Sequence, residues 1–140
     1  MKDVPIEALR QVFKSAPFIA SLGLELESVS EGVCVTRLEV LPNHLQQNGF
    51  VHAGVLATLA DHTAGGAASA TLGPGSYPLT AEFKTNLLRP ANGRVLRCVS
   101  RVLKPGRSLV VAESEVFSNA EAEEKLCAKA MVTLSVASRS

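Results

Sequence analysis

Ala53-Gly54-Val55-Leu56-Ala57-Thr58-Leu59-Ala60-Asp61-His62-Thr63-Ala64-Gly65-Gly66-Ala67-Ala68-Ser69-Ala70 decides how this chain is read. Seven of its 18 residues are Ala and three are Gly, and polarity is confined to Thr58, Asp61, His62, Thr63 and Ser69. The spacing predicts a helix from Val55 to about Leu72, stopped by Gly73-Pro74-Gly75. A surface helix would carry one charged stripe, and none is present. Small residues nearly all round predict a helix enclosed by a curved sheet, its backbone close to its neighbours. Gly65-Gly66 fits that picture, because each glycine costs about 1 kcal/mol against Ala inside a helix and close packing gives a reason to keep it. As a membrane span the stretch is poor. Asp61 and His62 sit at its centre, and a mid-bilayer Asp costs about 2.5–3.5 kcal/mol.

Working outward, Asp3 as N-cap, Pro5 in the first turn and Ile6, Leu9, Val12 and Phe13 at helical spacing predict an amphipathic helix to about Ser15, stopped near Pro17. Gly23–Val29 and Val33–Leu41 alternate and are split by Glu31-Gly32, which predicts a hairpin ended by Pro42. His44 to Gly54 is polar and glycine-punctuated, an ordered loop leading into the long helix. Four strands follow, Leu79–Leu88, Val95–Leu103, Leu109–Phe117 and Lys125–Val136, with turns at Pro90 to Gly93, Pro105-Gly106 and Ser118 to Glu123. Short turns pair strands antiparallel, so the fold class is α+β. With no linker, repeat or low-complexity tract in 140 residues, residues 1–140 form one domain.

Composition narrows the function. Apolar residues make up 46%, enough to bury a core, yet aromatics are only 4%. Fourteen basic residues balance 13 acidic ones, which argues against a nucleic-acid binder that relies on a basic face. Cys34, Cys98 and Cys127 are odd in number and widely spaced, as expected of reduced thiols. Residues 1–20 carry Asp3, Glu7, Arg10 and Lys14 and no run suited to a signal-peptide core, so a cytoplasmic location is expected.

Asp61 is the strongest chemical signal. A carboxylate set among apolar residues must find donors or shift its pKa, and this is how a general base or nucleophile is built; a structural hydrogen bond or a solvent window would also hold it. His52 stands just ahead of the helix, as a capping residue or a participant. His44, His52 and His62 fall within 19 residues, but their spacings of eight and ten match no common metal-ligand pattern, so no metal is expected. Ala53 and Gly54 offer backbone N–H groups at a helix start, where a developing oxyanion is stabilised. His52 and Asp61 lie nine residues apart, about 13 Å along a helix. They cannot share one small carbonyl within a chain. Acting together, they would require two antiparallel helices from two subunits and two symmetric sites at a twofold interface.

Gln46-x-Asn48-Gly49-x-x-His52-Ala53-Gly54, with Asp61 nine residues past the histidine, resembles the hotdog-fold acyl-CoA thioesterases, and most closely their phenylacetate-pathway and THEM-type branch. The element order and the Leu88-Arg89-Pro90-Ala91 segment closing a strand fit as well. The resemblance implies an antiparallel sheet wrapped around a central helix, and hydrolysis of an aryl or medium-chain acyl-CoA with no cofactor beyond the CoA of the substrate. It implies a homodimer, and beyond it a dimer of dimers. Asp61 would activate water or attack the thioester, the Ala53 N–H would hold the oxyanion, and His52 would sit by the sulfur. Gln46 would orient the carbonyl or water, and Thr80 would hold water beside the carboxylate. Two departures stand out: His-Ala-Gly replaces the family's His-Gly-Gly, and Gln46 replaces its Asn, which leaves Gln47 and Asn48 as candidates for the same role. Asn48, Gly54, Arg89, Lys104 and Arg107 are candidates for binding substrate or CoA. A hotdog hydratase or dehydratase, a non-catalytic acyl-CoA-binding module and a purely structural dimer remain as alternatives.

Overall fold

The computed structural model describes residues 6–120 and 123–139. Three helices, α1 (Ile6–Ser15), α2 (Pro17–Leu22) and α3 (Ala53–Ser69), accompany six strands: β1 (Glu25–Ser30), β2 (Val33–Glu39), β3 (Ser76–Leu87), β4 (Val95–Lys104), β5 (Leu109–Ala120) and β6 (Glu123–Ser138). The strands form one antiparallel sheet in the order β1-β2-β4-β5-β6-β3. The α+β expectation holds, and the sheet wraps α3.

Local chemistry explains most boundaries. Glu31 and Gly32 both take positive φ (53° and 74°), the conformation a two-residue hairpin turn demands, and Ser30 pairs with Val33 across it. Pro17 does end α1, but it also begins α2, which the sequence reading did not anticipate. Proline lacks an N–H, and the first turn of a helix needs none. Gly23, at φ 84°, closes α2 with its N–H on the carbonyls of Ile19 and Ala20. A short 3-10 turn at Pro42–His44 is a further element the sequence reading placed in a loop. Strand β3 begins at Ser76, three residues before the expected Leu79, and α3 stops at Ser69 rather than near Leu72. The Asp3 cap and Pro5 lie outside the described residues.

The core lies between α3 and the concave face of the sheet. Leu56, Leu59, Ala60, Ala64 and Ala67 of the helix are buried against Leu38, Leu96, Val110, Val116 and Val132. Each fully buried Val or Leu side chain contributes about 1.5–3 kcal/mol. Alanine on the helix lets the sheet approach its backbone, which is the close packing the composition predicted. The uniformly small sequence still yields two faces, for Thr58, Asp61, His62, Gly65 and Ser69 are only partly buried and form a stripe away from the core. In α1, Leu9 and Phe13 are buried, while Val12 is 53% exposed and not part of the expected apolar face.

Candidate active site

Sheet side chains fix how α3 is rotated. Ser114 Oγ donates to the Ala60 carbonyl at 2.7 Å and shares a 2.5 Å hydrogen bond with Ser100 Oγ. Cys98 Sγ reaches the Leu59 carbonyl at 3.5 Å, and Thr36 and Thr63 pair through their hydroxyls at 2.7 Å. These groups are fully buried, where a lost partner costs about 1–3 kcal/mol. The turn of α3 just before Asp61 is thereby held to the sheet, and Asp61 faces the other way.

There Asp61 meets β3. Thr80 Oγ1 donates to Asp61 Oδ1 at 2.6 Å. The register between β3 and β6 shifts between Thr80 and Glu82, a bulge of the kind that re-aims a side chain beside a site. Asp61 and Thr80 line a cavity of about 760 Å³ between α1, α3 and the start of β3. His62 lines it too, its ring edge-on to Phe13 at 4.4 Å between centroids. Its Nε2 is buried with no hydrogen-bond partner among the described residues. Burial pushes the His62 pKa below its ordinary value, against the opposing pull of the Asp61 charge. The imidazole is therefore neutral at pH 7.

The other predicted residues gather elsewhere. Gly49, at φ 86°, turns the loop so that Gln46 Oε1 accepts from Asn48 N at 2.5 Å and Phe50 N at 3.4 Å. That occupies the amide oxygen of Gln46 and leaves its NH2 as the group available to a substrate. Val51 N is held by the Ala91 carbonyl and His52 N by the His44 carbonyl. His52 caps α3, its Nδ1 accepting from Gly54 N at 2.8 Å. A side chain at residue 54 would collide with that ring, since an added Cβ would stand 2.9 Å from Nδ1. Gly54 is thus explained by the cap. Its N–H is occupied, and among the described residues the Ala53 N–H at the helix start has no acceptor.

The structure thus brings Asp61 to Thr80, Gln46 to Asn48, and His52 to Gly54 at the start of α3, but it does not join Asp61 to the others. Neither His52 nor Gln46 lines the cavity that holds Asp61. The three histidines do three different jobs. His44 is buried, accepting the Leu41 N–H at Nδ1 and bonding the Leu22 carbonyl through Nε2, while His52 caps and His62 packs. Arg89, Lys104 and Arg107 are exposed and line no part of the cavity. Among the described residues, Arg139, stacked on Tyr77 at 4.6 Å, is the one arginine or lysine that does, and the sequence reading did not single it out. Burial raises Cys34 to about 12 and Cys98 to about 11, so these thiols stay protonated and are no nucleophiles.

Comparison with known proteins decides the family. Residues 48–132 match the thioesterase superfamily model. The chain belongs to the thioesterase superfamily, and its activity class is thioester hydrolysis. A thioesterase family protein from Silicibacter pomeroyi superposes with a TM-score of 0.92 at 32% identity, over 95% of this chain and 98% of that one. The 1,4-dihydroxy-2-naphthoyl-CoA hydrolase of Listeria monocytogenes is 29% identical over 76% of this chain and 85% of its own length. The Escherichia coli PaaI protein from the phenylacetic acid degradation operon shares the fold, with a TM-score of 0.85 at 19% identity over 96% and 94% of the two chains. The superfamily's hotdog fold is therefore the fold of this chain.

Proposed function

We propose that this member of the superfamily hydrolyses an acyl-CoA to the free acid and CoA, at centres shared between two copies of the chain. One observation carries the reading: a hydroxyl-anchored carboxylate, Asp61 with Thr80, opens on a largely apolar cavity, while the free N–H of Ala53 lies at the far end of the same rigid helix. Eight residues along α3 separate Ala53 from Asp61, about 12 Å. A twofold pairing lays one helix start beside the partner's Asp61 and completes both sites. Strand β3 supports the pairing. It is a sheet edge 12 residues long with Leu79, Phe83 and Leu87 exposed, an edge that natural proteins pair or cover.

In the assembled site, the Ala53 N–H and the positive end of α3 stabilise the oxyanion of the tetrahedral intermediate. Thr80 holds Asp61 Oδ1, leaving Oδ2 to take a proton from the attacking water or to attack the carbonyl itself. In the first route the water oxygen bonds to the acyl carbon, the C–S bond breaks, and the proton held by Asp61 is returned to solvent or thiolate. The Gln46 NH2 orients the carbonyl, and His52 stands by the departing sulfur. The CoA specificity of the Listeria relative supports the choice of thioester, and three buried, unbridged cysteines suit the cytoplasm.

A thiol-release assay over aryl, short-chain and medium-chain acyl-CoAs tests this reading. Release of CoA with at least one class is expected. Hydration of an enoyl thioester with no free thiol, or binding without turnover, would replace it.

A further inference from the structure

Two adjacent glycines in the middle of α3 have different reasons to be there. At Gly66 an added Cβ would stand 2.8 Å from Cys34 Sγ, so packing against the sheet requires glycine. At Gly65 an added Cβ would meet nothing within 4 Å, and the residue is helical with no positive φ. Neither packing nor backbone conformation accounts for Gly65, and helix propensity favours alanine there. What glycine preserves at this position is empty space, and that space belongs to the cavity holding Asp61.

We infer that Gly65 determines acyl specificity: it leaves bare the floor of a channel that takes an extended aliphatic chain of medium length. The inference rests on the acyl-CoA reading above and names its substrate class. Asp61, Gly65, Ser69 and Leu72 succeed one another along the cavity. Eight residues from Asp61 to Ser69, where α3 ends, amount to about 12 Å at helical rise, and Leu72 lies beyond them. That is far longer than one ring joined directly to a carbonyl, and it suits an alkyl chain lying along the helix with its thioester at Asp61. Val12, 53% exposed, and the half-buried Leu72 line the same space. Large apolar side chains left open beside a carboxylate are the surface that an aliphatic chain would cover.

The test compares wild type, Gly65→Ala and Gly65→Leu for kcat/KM on acetyl-, octanoyl- and decanoyl-CoA. In parallel, calorimetry measures their affinity for the matching S-alkyl-CoA thioethers, which bind without reacting. Wild type is expected to favour octanoyl and decanoyl over acetyl in both assays. Gly65→Leu should lose about tenfold or more on the long substrates while acetyl-CoA changes little. Gly65→Ala should lose less while raising Tm by about 3 °C. Gly66→Ala, the packing control, should lower Tm with no shift in chain-length preference. Equal losses at every chain length would place the pantetheine arm on this strip and overturn the inference, as would no loss at all in Gly65→Leu. Should no thioester be hydrolysed while thioether affinity still follows chain length and falls in Gly65→Leu, the activity proposal fails and this one stands.

Discussion

The start of α3 and its middle are built in opposite ways. At the start, His52, Ala53 and Gly54 are exposed, the chain enters from a loop pinned at Val51 and His52, and the capping ring leaves one backbone donor open. In the middle, the helix is locked to the sheet through Ser114 and Cys98, and its outer stripe carries a carboxylate, a neutral imidazole and a bare glycine over a cavity. In the proposed mechanism one end supplies electrostatics for an oxyanion, and the other a base and room for an acyl group. Each half is pre-organised, but a rigid helix holds them apart. On the proposed reading, a working site takes one half from each of two copies of the chain.

The comparison is broken most sharply at its acidic half. Asp61→Asn keeps the size of the side chain and its bond to Thr80 but removes the base, and turnover should fall roughly 10²–10⁴-fold if Asp61 acts as general base. Full activity in that variant would remove the middle of the helix from catalysis. Thr80→Val is a subtler test of the same half. A hydrogen bond to a charged group is worth about 1.5–3 kcal/mol, so kcat should fall about tenfold or more. An unchanged kcat would make Thr80 a bystander.

The smallest effect is on stability. His62 has a folded-state pKa below its ordinary 6.5, because burial disfavours the imidazolium. Below pH 6.5 the unfolded chain takes up a proton that the folded chain refuses, so stability declines as pH falls from 6.5 toward the folded pKa and is unaffected by this group above 6.5. Chemical denaturation at pH 7.5 and pH 5.5 should show a smaller acid loss in His62→Gln than in wild type. Equal losses would mean that His62 ionises freely in the folded state.

The same contrast governs what could be read in the sequence. The start of α3 was legible because its signal is local: a polar, glycine-punctuated loop, a capping histidine and small residues at a helix start stand next to one another in the chain. Asp61 was legible as the single carboxylate in an apolar helix, and the hairpin at Glu31-Gly32 as a turn with its own chemistry. The partnership of Asp61 with Thr80 rested on resemblance alone, because it spans 19 residues and depends on a bulge in β3 that no composition announces. The cavity was invisible for the same reason. Val12 reads as core by helical spacing, but it faces the cavity between α1, α3 and the start of β3. Gly65 and Gly66 are indistinguishable in sequence and differ only in what stands above them. The basic residues were the weakest inference, since Arg89, Lys104 and Arg107 were chosen at strand ends or in a turn, while among the described residues the cation at the cavity is Arg139.

Mixing two disabled chains tests the shared site most directly. One carries Asp61→Asn; the other carries His52→Asn, which keeps a side-chain cap on α3, together with Gln46→Ala. Each should be nearly inactive alone. Unfolded together and refolded as an equal mixture, half of the pairs contain one chain of each kind, and one of their two sites draws every group from an intact half. Thiol release should then recover to about a quarter of the wild-type rate. A mixture no more active than the sum of its two components would contradict a site built between subunits.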